Sequence, residues 1–194
     1  MAKSSEAAAG RVRIIGGAWK KSVLRFAASE DLRPTPDRVR ETLFNWLGQA
    51  LEGRRCLDLF AGSGALGFEA ASRGAPHVVL VERDPAAVRA LRANAERLSA
   101  TTLEIVQGDA IAYLSGAKER FDVVFLDPPF RQNVHPALLA KLPRVLEGGA
   151  RVYVEAPAPV EAPGWRELRR SRAGQVSYQL LEWSDDRSGL PGDV

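Results

Sequence analysis

The chain has 194 residues, 45% of them hydrophobic, with 27 basic and 24 acidic side chains and a net charge of +3. That is enough apolar material for one core, yet no apolar run approaches the ~20 residues of a membrane span, and residues 1–10 lack the apolar stretch of a secretory signal. A single cysteine, Cys56, excludes an internal disulfide, and two distant histidines, His77 and His135, with no cysteine pair argue against a zinc site.

The charge is unevenly placed. Residues 1–56 hold 11 basic against 6 acidic side chains, and the remainder holds 16 against 18. That basic start reads either as a solvated face or as a phosphate-binding arm. Residues 1–10 are small and polar and are expected to be disordered. Alternating runs at 11–15 and 22–26 around a glycine-containing loop predict a hairpin. Arg11, Arg13, Lys20 and Lys21 are its cations. Thr35 then caps a predicted helix with Pro36 at its first position. Val39, Leu43, Trp46, Leu47 and Ala50 recur at helical spacing as its buried stripe. Arg38, Glu41 and Asn45 lie off that stripe, as a solvated face or as the border of a ligand site.

From Arg54 onward strands and helices alternate. The strands are predicted at 55–60, 77–82, 102–107, 121–126 and 149–155. The helices are predicted at 65–74, 85–99, 109–116 and 134–145. Asp84 caps the second of these, and Val88, Leu91, Ala95 and Leu98 form its buried stripe. Such alternation predicts an α/β fold with a mostly parallel sheet covered on both faces. Runs at 165–170 and 175–183 predict an antiparallel pair at one edge. Residues 11–53 thus form a hairpin-plus-helix extension, 54–183 the main domain, and 184–194 a loose tail. Cys56, inside a strand, reads as a small buried hydrophobe.

The chemistry gathers at strand ends. Gly62, Gly64 and Gly67 follow the apolar run 57–60 in a G-x-G-x-x-G pattern, which lets the backbone turn tightly and meet a ligand at a helix N-terminus. Asp58 precedes the turn, where a ligand ammonium would gain from a carboxylate and a pyrophosphate would not. Glu82 ends the next strand, where an acid accepts hydrogen bonds from ribose hydroxyls. Ammonium plus ribose points to S-adenosylmethionine (SAM) rather than NAD.

Asp127-Pro128-Pro129-Phe130 ends the fourth strand, the side on which open α/β sheets bind ligands. Asp127 and the Pro128 carbonyl can both accept from one exocyclic NH₂ and so aim its nitrogen lone pair. Pro128 has no N–H of its own. Phe130 offers a stacking face for the base. Asp109 either caps the following helix or bonds an adenine amino group.

These motifs resemble the class I SAM-dependent methyltransferases of the Asp-Pro-Pro-aromatic type. Arg33-Pro34-Thr35, Asp37-Arg38-Val39-Arg40-Glu41-Thr42-Leu43-Phe44-Asn45, the glycine turn and the tetrapeptide together resemble the RsmD family, over roughly residues 11–183 and with no departure at a motif position. The resemblance implies a Rossmann-like, seven-stranded sheet and methylation of guanine N2 in bacterial small-subunit 16S ribosomal RNA, in the cytoplasm. It implies that Asp58, Phe60, Ala61, Gly62, Ser63, Gly64, Glu82, Arg83, Asp109, Ala110 and Asp127 bind SAM. Asp127, Pro128, Pro129 and Phe130 would hold the guanine without a metal. Arg11, Arg13, Lys20, Lys21, Arg33, Arg38 and Arg40 would face the RNA. An assembled 30S particle is the expected partner and a monomer the expected state. The alternatives are an adenine-N6 DNA methyltransferase, which normally carries a recognition region absent here, and a non-catalytic RNA-binding assembly factor. A protein-glutamine methyltransferase would prefer Asn at position 127.

Overall fold

The computed structural model describes residues 9–27, 34–129 and 134–183. A hairpin, β1 (Ala9–Arg13) and β2 (Val23–Ala27), and helix α1 (Asp37–Leu47) come first. Then follow β3 (Arg55–Asp58), α2 (Ala65–Ser72), β4 (His77–Glu82), α3 (Pro85–Arg97), β5 (Leu103–Gln107), α4 (Ala110–Gly116) and β6 (Phe121–Leu126). The chain closes with α5 (His135–Lys141), β7 (Leu146–Ala156), β8 (Trp165–Ala173) and β9 (Val176–Trp183). Among the described residues, β3 to β9 form one seven-stranded sheet in the order β5-β4-β3-β6-β7-β9-β8. β3 to β7 pair in parallel, and β9 and β8 add an antiparallel edge. The predicted architecture is the one observed.

The central strands are apolar throughout because both their faces are covered. Cys56, Val78, Leu80, Val123 and Phe125 point into one buried cluster, with residues of the hairpin, α1 and α2. Their neighbours Leu57, Val79, Val81, Val124 and Leu126 point into the other, beneath α4 and α5. The period of two along each strand thus divides the core into two layers. Val12, Ile14, Leu24 and Phe26 of the hairpin share the first layer with Val39, Leu43, Phe44 and Leu47 of α1. The N-terminal segment is therefore built into the sheet's own core.

Side chains clamp that segment down. Asn94 of α3 accepts from the Arg25 N–H at 3.1 Å and donates to the Arg25 carbonyl at 2.8 Å, as a neighbouring strand would. The Ser72 hydroxyl donates to the Gly16 carbonyl at 2.6 Å and accepts from the Trp19 N–H at 2.9 Å. Gly17, at φ +72°, lies so close to α2 that a Cβ there would sit 1.7 Å from the Ser72 carbonyl oxygen. Only glycine allows that approach.

Several boundaries differ from the sequence reading. The hairpin starts at Ala9, inside the stretch expected to be disordered; residues 1–8 and the tail 184–194 lie outside the described residues. β3 stops at Asp58 because the chain leaves the ladder, the Ala61 N–H turning to the Val81 carbonyl at 3.0 Å. Helix α1 ends at Leu47, closed by Gly48 at φ +99°, so Ala50 is exposed rather than buried. The predicted helix 134–145 is α-helical only to Lys141 and becomes 3₁₀ over Leu142–Val145. Pro143 has no N–H for an i−4 bond and tightens the last turn. β7 starts three residues early, with an irregularity at Gly148-Gly149 before regular pairing resumes at Arg151. No helix among the described residues is long and apolar enough to cross a membrane.

Candidate active site

The order in which strands join the sheet reverses at β3: β4 and β5 lie on one side and β6 and β7 on the other. In such sheets the crevice at the carboxyl ends receives the ligand. Asp58 pairs with Leu80 of β4 and Phe125 of β6, so the glycine turn, Glu82 and Asp127 leave adjacent strands at the same end.

The glycine turn runs from Ala61 to Gly64, whose N–H bonds the Ala61 carbonyl at 2.6 Å. Gly64 has φ +81°, and a Cβ there would lie 2.7 Å from the Leu91 and Phe68 side chains. Shape and sterics both demand glycine. Ser63 is buried, and its hydroxyl accepts from the Ala65 N–H at 3.3 Å. Phe60 is half-buried and Ala110 is buried, while Arg83 is exposed. Glu82 braces the turn: one carboxylate oxygen accepts from the Gly62 N–H at 2.8 Å, the other from the Asp84 N–H at 2.8 Å. Its oxygens retain lone pairs for further donors, and the residue is half-buried at the crevice.

Asp58 is only 2% exposed, and its Oδ2 accepts from the Gly67 N–H at 3.0 Å. The nearby N–H of Phe60 also favours the ionised form of this carboxyl. Burial outweighs both and pushes its pKa up to about 7, with the Glu82 charge adding to the rise. A buried carboxylate beneath the turn is one that a nearby ammonium would stabilise. Asp109 caps α4, its Oδ1 accepting from the Ile111 and Ala112 N–H groups at 2.9 and 3.0 Å. It is exposed beside Gly108, whose N–H bonds the Glu82 carbonyl at 3.0 Å. The donor set fits SAM: an acid for a ribose diol, an exposed acid on the next strand end, and a buried acid under an open glycine turn.

Asp127 and Pro129 are half-buried and Pro128 is buried; Phe130 lies outside the described residues, as does Arg33. Three residues not singled out in the sequence as active-site groups surround Asp127. Thr35, expected as a helix cap, is instead buried beside the Asp127 carboxyl, where its hydroxyl favours the ionised form; α1 starts after Pro36 without a side-chain cap. Glu155 of β7 lies next to Asp127 and accepts from the Tyr153 hydroxyl at 2.7 Å. Burial first, then the Glu155 and Asp58 charges, raise the Asp127 carboxyl well above the usual carboxylate range. The one trace of Glu155 in the chain is an acid closing the apolar run of β7, as Asp127 closes that of β6; its neighbour is set by the pairing of the two strands.

The basic residues divide. Arg11, Arg13, Lys20, Lys21 and Arg38 are exposed, with Arg13 in an ion pair to Asp37 at 3.2 Å. Arg40 is fully buried and cannot face RNA. Its guanidinium bonds the Arg13 carbonyl at 2.8 Å, the Thr35 carbonyl at 3.1 Å and Asp37 at 2.5 Å, and reaches Glu69 at 3.4 Å. Glu69, buried in the wholly buried helix α2, requires that cation, and also accepts from the Ile15 N–H at 2.9 Å and Arg73 at 2.8 Å. At the opposite end of the sheet His77, Glu104 and Glu119 cluster within 4.8 Å. There Glu119 is already ion-paired to Arg55 at 2.5 Å. Cys56 is fully buried with its thiol pushed up to about 12, mainly by burial, so it packs and does not react.

Strand order, glycine turn and the acids that follow define the class I methyltransferase fold. An RNA methyltransferase of Salinibacter ruber in complex with S-adenosyl-L-homocysteine shares it at TM-score 0.62, with 23% identity over 83% of this chain and 98% of that one. More particularly, the family model described as conserved hypothetical protein 95 matches residues 12–182, and the chain belongs to that family. It is 40% identical over 192 residues to ribosomal RNA small subunit methyltransferase D of Escherichia coli K12, covering 94% of this chain and 95% of that one. The like-named protein of Haemophilus influenzae is 41% identical over 184 residues, covering 90% and 95%. The solved structure of Escherichia coli yhhF superimposes at TM-score 0.80, with 41% identity over 90% of this chain and 98% of that one.

Proposed function

We propose that this chain is a SAM-dependent ribosomal RNA methyltransferase that methylates the exocyclic N2 of one guanine in the small-subunit RNA. The observation that carries the reading is Asp127-Pro128-Pro129 at the carboxyl end of β6, one strand from the glycine turn after β3. The names of the 40%-identical relatives support the RNA substrate. Glu82, Asp109, Asp58 and the turn Ala61–Gly64 would hold SAM, which supplies an electrophilic methyl on its sulfonium. Asp127 and the Pro128 carbonyl accept from the two hydrogens of the amine and turn its lone pair toward that methyl. Phe130 stacks on the base. Orientation supplies most of the rate.

Arg11, Arg13, Lys20, Lys21, Arg33 and Arg38 contact RNA phosphates. Lys21 supports this: it holds φ +75°, a conformation that glycine would adopt with less strain. The substrate is the RNA folded in a small-subunit particle in the cytoplasm, and the enzyme acts as a monomer. The test is single-turnover methylation of small subunits lacking the modification, using labelled SAM and identifying the product nucleoside. Asp127→Ala should leave SAM binding largely intact, because the ends of the first three strands chiefly hold the cofactor, and should transfer methyl about 10²-fold more slowly, because the amine loses its orienting acceptor. Asp127→Asn keeps a carbonyl acceptor and should retain part of the rate. Full-rate transfer by Asp127→Ala refutes the mechanism, and N6-methyladenine as product refutes the substrate.

A further inference from the structure

Strand β8 is a second basic segment, hidden in the charge balance of the main domain. Its nine residues carry four arginines and one glutamate, while residues 57–194 as a whole carry 16 basic and 18 acidic side chains. Arg166, Arg169, Arg170 and Arg172 are all exposed. Arg166 pairs with Glu182, and Arg170 with Glu167 at 2.8 Å. Among the described residues Arg169 and Arg172 pair with no acid. Their guanidinium groups donate only to carbonyl oxygens, of Leu168 at 2.8 Å and of Gly174 at 2.9 Å. Each keeps most of its five N–H donors for an oxyanion.

The sheet carries these cations to the end that holds Asp127 and the glycine turn. β6 and β7 are parallel, β9 is antiparallel to β7 and β8 to β9, so β8 runs with β6. Leu126, Val154, Gln179 and Arg170 form one row across the four strands. Asp127 follows Leu126, and Arg172 lies two residues beyond Arg170 in the same direction. Three strand spacings separate β6 from β8, about 14 Å. The two-residue turn Gly174-Gln175 then joins Ala173 to Val176, with Gly174 at φ +60°. Such a turn is short and well defined, and the Arg172 bond to the Gly174 carbonyl ties that side chain to it. The N-terminal hairpin is held instead by α2 and α3, which connect β3, β4 and β5. In the strand order Asp127 therefore stands between two basic segments.

β8 is also the edge of the sheet, and charge on an edge strand prevents pairing with other chains. Either sign of charge meets that need, and the register shift between Glu167 and Arg169 already interrupts the edge. Edge protection accounts neither for four arginines against one acid nor for the two that have no acid. We propose that Arg169 and Arg172, beside the β8–β9 turn, bind phosphates of the substrate RNA on the β8 side of the target base. This rests on the reading of Asp127 as the group that holds an RNA base. A base presented singly to a site brings flanking phosphates on both sides, and cations placed along their path hold the strand whatever its sequence.

The test compares Arg169→Gln/Arg172→Gln with the parent and with Arg169→Lys/Arg172→Lys, on small subunits that lack the modification. Binding is measured from about 50 to 200 mM salt, with single-turnover methylation and SAM calorimetry alongside. The Gln variant should bind the particle about 10-fold more weakly or worse, with a salt slope lower by about 1.4–1.8, the share of two phosphates. Its rate at saturating particle and its SAM affinity should match the parent's. The Lys variant keeps the charge and should recover most of the slope. An unchanged slope and affinity in the Gln variant overturns the proposal. Self-association of that variant in sedimentation, with RNA binding unchanged, also overturns it and assigns the arginines to guarding the edge. Should the Gln variant not fold, a photocrosslinking side chain placed at the exposed Gln175 decides. Attachment to ribosomal RNA supports the contact; attachment to protein alone, or to nothing, overturns it. Full-rate methylation by Asp127→Ala refutes the reading of Asp127 by itself, and the salt slope of the Gln variant still decides the phosphate contact.

Discussion

Arg40 offers the sharpest separation of a structural from an RNA-binding role. Its side chain is fully buried, and its guanidinium bonds Thr35, Arg13, Asp37 and Glu69. Arg40→Ala leaves the Glu69 carboxylate, itself fully buried, with Arg73 as its one remaining cation. It also strands the Arg13 and Thr35 carbonyls. Removing one member of a buried pair costs about 3–5 kcal/mol. For a domain of this size that lowers Tm by about 6–20 °C, a large part of a stability of about 5–15 kcal/mol. Arg38→Ala, two residues away and exposed, should stay within about 0.5 kcal/mol of the parent. Adding Glu69→Gln to Arg40→Met should recover part of the loss, because the orphaned charge is removed with its partner. Thermal melts followed by far-ultraviolet circular dichroism, with urea titrations at 25 °C, measure the parent and the four variants. The reasoning fails if Arg40→Ala melts with Arg38→Ala and the parent but loses RNA affinity.

Glu82→Ala should weaken SAM binding by about 1–3 kcal/mol, read by calorimetry, because a charged acceptor is lost and the Gly62 N–H it braces is released; unchanged affinity would move the ribose elsewhere. Asp58, raised from 3.8 to about 7 by burial, keeps its proton in the folded chain while the unfolded chain loses it. Its contribution to stability is therefore complete below about pH 4 and disappears as pH rises to about 7, a loss of about 4 kcal/mol. In Asp58→Asn that slope should be absent from denaturation curves taken without ligand; a slope identical to the parent's would assign it to other groups. Neutralising Lys20 and Lys21 together should reduce the salt slope of RNA binding by about 1–2, as two phosphate contacts disappear, and an unaltered slope would make them ordinary solvated charges.

Periodicity and turn chemistry are local, and what depended on them was readable from the chain alone. Alternate residues of β3, β4 and β6 had to face opposite layers, because an apolar strand between helices can be buried only on both sides. The glycine turn after β3, the cap at Asp84 and the position of Asp127 at a strand end followed from residues within a few positions of each other. Partner choice across the fold did not follow. Arg40 looked like one more cation in a basic segment until α1 packed against α2 and met Glu69, 29 residues away. Thr35 fitted a helix cap by its place before Pro36, yet the packing of α1 on the sheet buries it beside Asp127 and Glu155. Glu155 gained its meaning only when β7 paired beside β6. The polarity of a side chain is written in the sequence. Whether it meets water, an ion or another acid is decided by the element packed over it, because the cost of burying a charge depends on what lies within a few ångströms.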